Sequence, residues 1–526
     1  MENTKDTMEK IISLCKRRGF IFPGSEIYGG LAGTYDYGPL GVNLKNNIKK
    51  IWWKRFVDDR TDMYGMDAAI IMNPEVWKAS GHVGGFSDPM VECLECKNRY
   101  RADHFLDIPE YHNNLLEWLE YGQRFLPSKS DIDDVQSLAD YATQNQYMKE
   151  FLNLIDSHDK KLFVAELLIK PIKLAQVYSG PLSQKYLNTN ILCPQCKNKN
   201  WSEPKQFNMM FQTYVGAVQD ESSISYLRPE TAGGMFVNFK NIMDSIHPKL
   251  PFGMAQIGKA FRNEIAPRDF IFRTREFEQM EIEYFVHENT WKENFDILLG
   301  EMYGFMDDLG LDKKNIHPVE VSDEDRAFYS KRTIDIEFDF PFGQKELYGL
   351  AYRTDYDLSA HQIGSTKDLS YFDEETKERF VPHVIEPSFG LDRTVLAVLS
   401  NAYREDEMNG EVREYLALAP HLAPYRVCVS PLLKNKPELQ EKAKEVFKLL
   451  KKELGNVTYD DNGNIGKRYR RQDEIGTPYC IVIDFDTTGT GTDINPEFKD
   501  TVTIRDRDTG NQERVAIEKI IEYIQK

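Results

Sequence analysis

Nowhere in the 526 residues does an apolar run reach the about 18 positions that a membrane-spanning helix needs, so no span is expected. The opening MENTKDTMEKIISLCKRRGF has neither the apolar core of a signal peptide nor a small-residue cleavage site. Cysteine is scarce and odd in number: there are seven, four of them in two CxxC pairs, which argues against a disulfide framework and suits a reducing, cytoplasmic setting. Positive charge is in deficit, with 66 Lys and Arg against 84 Asp and Glu and a net charge of −18. That excludes indiscriminate nucleic-acid binding, which needs many phosphate-neutralising cations, but leaves room for an RNA partner met through local basic patches. Internal repeats and low-complexity tracts are absent. What remains is 41% hydrophobic and rich in aromatics, long enough for two to four folded domains.

The densest chemistry lies between Met254 and Val286, MAQIGKAFRNEIAPRDFIFRTREFEQMEIEYFV. It reads as two strands joined by a loop that contains Pro267. Alternation puts Arg262 and Glu264 on one face of the first strand, with Ile257 and Phe261 on the other. On the second, Arg275, Phe277, Gln279, Glu281 and Glu283 oppose Met280, Ile282 and Tyr284. Charge alternation is the ordinary outcome for a half-solvated antiparallel sheet. Arg262, Arg268, Arg273 and Arg275 interleaved with Glu264, Glu276, Glu278 and Glu281 also suit a site that grips polyphosphate and an ammonium group side by side.

FRNE, a loop and FRTREFEQMEIE resemble motif 2 of the class II aminoacyl-tRNA synthetases, in the form carried by the dimeric glycyl enzymes. FIFPGSEIYGGLAGTYDYGPLG resembles the opening of that family, and a helix over about 40–60 followed by a strand ending at Pro74 resembles motif 1, which implies a homodimer. On that helix Leu44, Ile48, Ile51, Trp52 and Phe56 form an apolar stripe, and Lys45, Lys49, Lys50 and Lys54 read as a solvated face. YLRPET resembles the amino-acid-binding strand and turn, with Gly233 where the family usually has Gln. EPSFGLDR, ahead of the apolar helix TVLAVLSNAY, resembles motif 3, and a helix start favours anions.

The resemblance implies an α+β fold: an antiparallel-sheet catalytic core, an inserted and mainly helical region, and a C-terminal α/β anticodon-binding domain. The boundaries expected are 1–104 for the first part of the catalytic domain, 105–205 for the insertion, 206–420 for the core with motifs 2 and 3, and 424–526 for the anticodon-binding domain. In the last, GKRYRRQDEIG sets Lys467, Arg468, Arg470 and Arg471 around Tyr469, a combination suited to single-stranded RNA.

The implied activity is ATP-dependent attachment of glycine to the 3′ end of tRNA(Gly) through a glycyl-adenylate. Arg262, Glu264 and Arg393 are the implied catalytic residues, and Arg101, Glu230, Phe277, Glu281, Glu386, Ser388 and Gly390 the glycine-binding ones. ATP and Mg²⁺ are assigned to Arg262, Asn263, Glu264, Phe272, Arg273, Phe277, Glu346, Leu347, Gly390 and Arg393. Rival readings are a related synthetase for another small amino acid and a non-catalytic nucleic-acid-binding relative; the latter loses ATP-site arginines, whereas Arg262, Arg273 and Arg393 all stand here.

Cys93-Leu-Glu-Cys96 and Cys193-Pro-Gln-Cys196 could supply four thiolates to a structural Zn²⁺. Their separation of a hundred positions leaves reduced free cysteines as the alternative.

Overall fold

A computed structural model describes residues 2–102, 187–188, 191–323, 326–327, 329–408, 410–492 and 494–525. The helices expected between 110 and 190 lie outside the described residues, apart from a helical pair at Leu187 and Asn188. The chain divides into two units: residues up to Ser80, Phe211–Arg262 and Pro267 onward form one, and Gly81–Met210 with Asn263–Ala266 form the other.

The first unit is built on a seven-stranded sheet: β1 (Met63–Gly65), β2 (Phe252–Phe261), β3 (Glu276–Val286), β4 (Ile316–Glu320), β5 (Arg332–Phe340), β6 (Gly343–Thr354) and β7 (His383–Gly390). Their order is β4-β5-β6-β7-β3-β2-β1, antiparallel except where β1 runs parallel to β2. Period-two alternation sends Met280, Ile282 and Tyr284 of β3 and Ile385 and Phe389 of β7 to one face, where they join a large apolar core.

Helices α1 (Glu2–Arg18), α2 (Pro39–Trp53), α4 (Trp291–Asp308) and α6 (Leu391–Ala402) contribute to that core; α3 (Ala232–Ile246) and α5 (Tyr356–Ser365) pack on the other face. At its centre Phe389 is ringed by Trp52, Phe56, Phe305 and Tyr348, with centroids 4.8–5.9 Å away. Each such side chain contributes about 1.5–3 kcal/mol by leaving water.

One lysine of the supposedly solvated face of α2 is not solvated. Lys45 is 6% exposed, bonded to Asp392 at 3.1 Å and paired with Glu278 at 3.0 Å, while Lys49 pairs with the same glutamate. Tyr37 donates to Asp392, whose other oxygen accepts the Glu278 amide at 2.7 Å. A buried charge must be paired, so this knot fastens α2, β3 and α6 together beneath the site.

The C-terminal part of the same unit carries a five-stranded sheet, β8 (Val427–Pro431), β9 (Val457–Tyr459), β10 (Tyr479–Ile483), β11 (Thr501–Asp506) and β12 (Gln512–Ala516), in the order β9-β8-β10-β11-β12. Val515 and Ala516 belong to β12, and the last helix begins at Ile520. The basic run falls on α8 (Ile465–Glu474), which follows α7 (Pro437–Leu454). Its arginines are committed within the chain. Arg468 is 2% exposed and donates to the carbonyls of Pro431, Asp461 and Gly463; Arg471 chelates Asp460; Arg470 pairs with Glu411. The Arg505 guanidinium lies 4.7 Å over the Tyr469 ring. In this structure carbonyls and carboxylates of the chain, Glu411 outside the C-terminal domain among them, take the arginines of the run, and Lys467 is exposed.

Candidate active site

Register fixes the first half of the site. Glu281 of β3 lies opposite Gln256 of β2 and Ser388 of β7, and Ser388 opposite Gly349 of β6. On the face away from the main core, Ser388 donates to Glu281 Oε1 at 2.9 Å, the Gln279 amide donates to the same oxygen at 3.0 Å, and Thr231 donates to Oε2. Glu230, Glu281, Glu283 and Glu386 are all buried. Facing them is Arg353, 1% exposed, whose Nε and Nη2 donate to the two oxygens of Asp357 at 2.7 Å and whose Nη1 donates to Glu386 at 2.8 Å.

Carboxylates thus outnumber the cation that serves them. Burial and Glu230 raise the Glu281 carboxyl above its ordinary range, against the bonds from Thr231 and Ser388. Burial, against the pull of Arg353 and with the push of Glu281 and Glu230, lifts Glu386 to about 8. Such a surplus of buried carboxyl groups over cations has the chemistry to receive a small cation.

YLRPET positions this half from below. Arg228 is 1% exposed; its Nε donates to the Lys259 carbonyl at 2.6 Å and its Nη1 to the Ala68 carbonyl at 2.8 Å. Gly258 lets that guanidinium pass, since a Cβ there would sit 2.3 Å from Nη2. Gly233, where the family usually has Gln, opens α3 against Trp77; a Cβ would meet that ring at 2.9 Å, so a longer side chain has no room.

The second half lies toward the start of α6, where Gly390 is the N-cap. Arg393, one turn in, holds its guanidinium 4.4 Å over Phe272 and bonds both the carbonyl and the carboxylate of Glu346 at 3.0 Å. Phe272 is braced edge-on by Phe340 and Phe342 at 5.3 and 5.2 Å. Arg262 donates to the Pro229 carbonyl at 3.0 Å and lies 5.3 Å over Phe277. Arg393, with Arg262 and Arg273 adding to it, holds the exposed Glu346 carboxylate below its usual range. Burial and the neighbouring Glu346 and Glu337 push Asp335 up to about 7, and a Cβ at Gly349 would lie 3.9 Å from Asp335 and 4.0 Å from Glu346.

A register shift on β6 explains Glu346. Ile336 pairs with Tyr348 and Glu337 with Glu346, so Leu347 is the extra residue of a bulge. Leu347 and Tyr348 both bury in the core, and Glu346 is turned out. The side chain of Leu347 is therefore in the core, so only its backbone is left for the expected nucleotide contact.

The strand expected to carry Glu264 ends before it. The first strand stops at Phe261; the Arg262 amide still reaches the Arg275 carbonyl at 2.9 Å, but the Asn263 amide turns to the Met209 carbonyl at 2.7 Å. Asn263 and Glu264 belong to the second unit, so alternation no longer places Glu264 beside Arg262. Arg101 also lies in the second unit, paired with Asp88 at 2.6 Å.

That second unit brings the four CxxC cysteines together. Cys93 and Cys196 have Sγ atoms 3.5 Å apart, Cys96 and Cys193 3.6 Å. The two knuckles repeat one turn: Lys97 and Lys197 adopt φ near +60° and bond back to Cys93 and Cys193, whose own amides bond the carbonyls of Asn98 and Asn198. A zinc tetrahedron with bonds of about 2.3 Å has edges of about 3.8 Å, so this donor set fits Zn²⁺. Around it lies a small core of Val91, Ala102, Leu187, Ile191 and Trp201.

Sequence reasoning missed Arg353, Asp357, Thr231 and Glu283 as members of the site. The available signals were the alternation that sets Glu283 beside Glu281, the place of Thr231 in YLRPET and the Arg–Asp spacing of four in RTDYD.

Comparison with known proteins agrees with this geometry. Residues 214–402 match the tRNA synthetase class II core domain (G, H, P, S and T), 88–209 match the glycyl-tRNA synthetase insertion domain 1, and 426–526 match the anticodon binding domain. The chain is 47% identical over 519 residues to a glycine–tRNA ligase of Clostridium tetani, which covers 98% of each chain. It is 47% identical over 522 residues to one of Clostridium acetobutylicum and 46% over 520 residues to one of Lachnospira eligens, each covering 99% of this chain and 98% of the relative. With near-full-length identity added to the class II sheet and its arginine-lined face, the chain belongs to the glycine–tRNA ligase family of class II aminoacyl-tRNA synthetases.

Proposed function

We propose that the protein activates glycine with ATP and transfers it to the 3′ end of tRNA(Gly). The observation that carries this reading is the pairing, on one sheet face, of a carboxylate-rich pocket around Glu281, Glu386 and Ser388 with an arginine and aromatic shelf at Arg393 and Phe272. The first half suits the ammonium of glycine. Glycine has no side chain to grip, and an attractive pocket gains only about 1–3 kcal/mol per methylene. Selection therefore works by exclusion: carboxylates closing on the ammonium leave no apolar space for a methyl.

In the first step the glycine carboxylate attacks the α-phosphorus of ATP, and pyrophosphate leaves. Negative charge grows on the α-phosphate oxygens, where fixed cations are worth most. Arg262 serves the carboxylate and α-phosphate, Arg273 and Arg393 the outer phosphates or the adenine ring. No general base is required, because the attacking carboxylate is already ionised. Glu346 and Asp335, hard oxygen donors flanking Gly349, are the residues that would hold Mg²⁺, which neutralises phosphate charge when bound. In the second step the terminal 3′-hydroxyl of tRNA attacks the adenylate carbonyl and AMP leaves. The motif 1 resemblance supports a homodimer, and the free cysteines suit a cytoplasmic protein.

The test is ATP–pyrophosphate exchange without tRNA, across all twenty amino acids. Exchange with glycine alone is expected; exchange driven by another amino acid would keep the class and overturn the substrate. Zinc at Cys93, Cys96, Cys193 and Cys196 is a separate expectation. Protein purified without chelators should carry about one zinc per chain, and stripping it should open the 88–209 region to protease, since its core is small. Metal-free protein of undiminished protease resistance would remove zinc from the account.

A further inference from the structure

Glu283 lies two residues beyond Glu281 on the site face of β3, and nothing above gives it a task. It is fully buried, and neither of its carboxylate oxygens has a hydrogen-bond partner among the described residues. One oxygen from each of Glu281, Glu283 and Glu386 lies within 4.8 Å of the other two. The groups that act on Glu283 come from each element packed around it: Glu386 from β7, Arg353 from β6, Glu281 from β3 itself and Asp357 from α5. On β2 the residue opposite is the uncharged Met254, and His361 of α5 lies against Phe236 of α3.

An orphan carboxylate in such a place is explained if it carries a proton, because a neutral acid supplies an O–H donor. The question is then which acceptor takes it. Both oxygens of Glu281 are already engaged, by Thr231 on one side and by Gln279 and Ser388 on the other. Asp357 is occupied by the Arg353 fork. Glu386 accepts from Arg353 at one oxygen, and an oxygen of Glu386 lies within 4.8 Å of one of Glu283.

We propose that Glu283 is a positioning residue for the substrate ammonium: it stands behind Glu386 as a neutral acid, the two share one proton, and that proton leaves to solvent when the ammonium of glycine binds. The proposal rests on the glycine-activating reading above. Its physical basis is that closely spaced buried carboxylates do not all ionise. The proton fills the empty pocket's need for positive charge; the ammonium replaces it. Burial and Glu386 push the Glu283 carboxyl well above its ordinary range, and burial raises that of Glu386, so the pair holds a proton at neutral pH. While the pair holds that proton glycine must expel it, so glycine affinity rises with pH and levels off once the proton is lost.

The experiment is glycine-dependent ATP–pyrophosphate exchange by the full-length protein, with KM for glycine and for ATP measured between about pH 6.5 and 8.5. In the unmodified protein the glycine KM is expected to fall up to about tenfold per pH unit at the acid end while the ATP KM stays level. Glu283→Gln, which offers Glu386 an amide donor and no proton, should flatten that slope, whereas a merely structural residue would shift the level of KM and keep it. Calorimetry of glycine binding to the unmodified protein, in buffers of differing ionisation enthalpy, gives the released proton directly and does not depend on a variant folding. A slope retained in Glu283→Gln, or no proton released near pH 7, overturns the proposal alone. Absence of exchange with glycine overturns the function and the proposal together.

Discussion

Arg353→Ala is expected to destabilise the catalytic unit by about 3–5 kcal/mol and to abolish glycine-dependent exchange. Arg353 joins Asp357 and Glu386 by three hydrogen bonds and lies 3.9 Å beneath the Tyr329 ring. Truncation would strand two buried carboxylates, with Glu230, Glu281 and Glu283 close behind them and no cation in place. Arg353→Lys should recover only part of the loss, because a point charge cannot fork onto Asp357 and reach Glu386 at once. The deficit should also depend on pH. Glu281, Glu283 and Glu386 already have carboxyls raised by burial, and losing Arg353 raises Glu283 and Glu386 further. A raised folded-state value costs stability as pH climbs above the unfolded value, so the deficit should shrink toward about pH 4.3, the ordinary glutamate value. Denaturant unfolding of all three proteins at two pH values checks this. An Arg353→Ala midpoint equal to that of the unmodified protein would show that the network carries no net stability.

How far the sequence leads can be judged at single residues. Alternation on β3 placed Glu281 and Glu283 opposite Met280 and Ile282, because a period of two leaves no freedom once one face is buried. The apolar run TVLAVLSNAY was legible too, and all but its last residue falls in the helix Leu391–Ala402. Partner choice was not. Lys45 sits in a lysine-rich turn and reads as solvated, yet its counter-ion Asp392 is 347 positions away. Arg468 looks like an RNA contact until β8 and the turn before α8 offer it carbonyls. A bulge is equally silent: Leu347 is an ordinary strand residue in sequence, and only its unpaired place against β5 turns Glu346 outward. Local pattern fixes which face a residue takes; pairings across tens or hundreds of positions are settled by the whole fold.

Arg393→Ala is expected to lower the exchange rate about 10²–10³-fold, about 2.7–4 kcal/mol, the usual loss when one fixed donor at a developing charge is removed. The guanidinium is held before any substrate arrives. Phe272 supports its plane at 4.4 Å, Phe340 and Phe342 support Phe272, and Glu346 takes Nη1 at 3.0 Å through both carbonyl and carboxylate. A cation so fixed needs no reorganisation in the transition state, which is why its removal should fall on kcat more than on binding. Arg393→Lys keeps the charge but loses the flat stacking surface, so an intermediate rate is expected. Glu346 would lose the first of the cations that hold its carboxylate low, and Asp335, already raised to about 7, would lose the one that opposes its rise. Any Mg²⁺ demand of the variant should increase accordingly. Measuring kcat with KM for ATP and glycine in all three proteins separates the site's two halves: Arg393 variants should leave the glycine KM nearly unchanged, and Arg353 variants should not. A glycine KM that moved equally in both would mean that one guanidinium serves both substrates, and the division of the sheet face into an ammonium side and a phosphate side would fail.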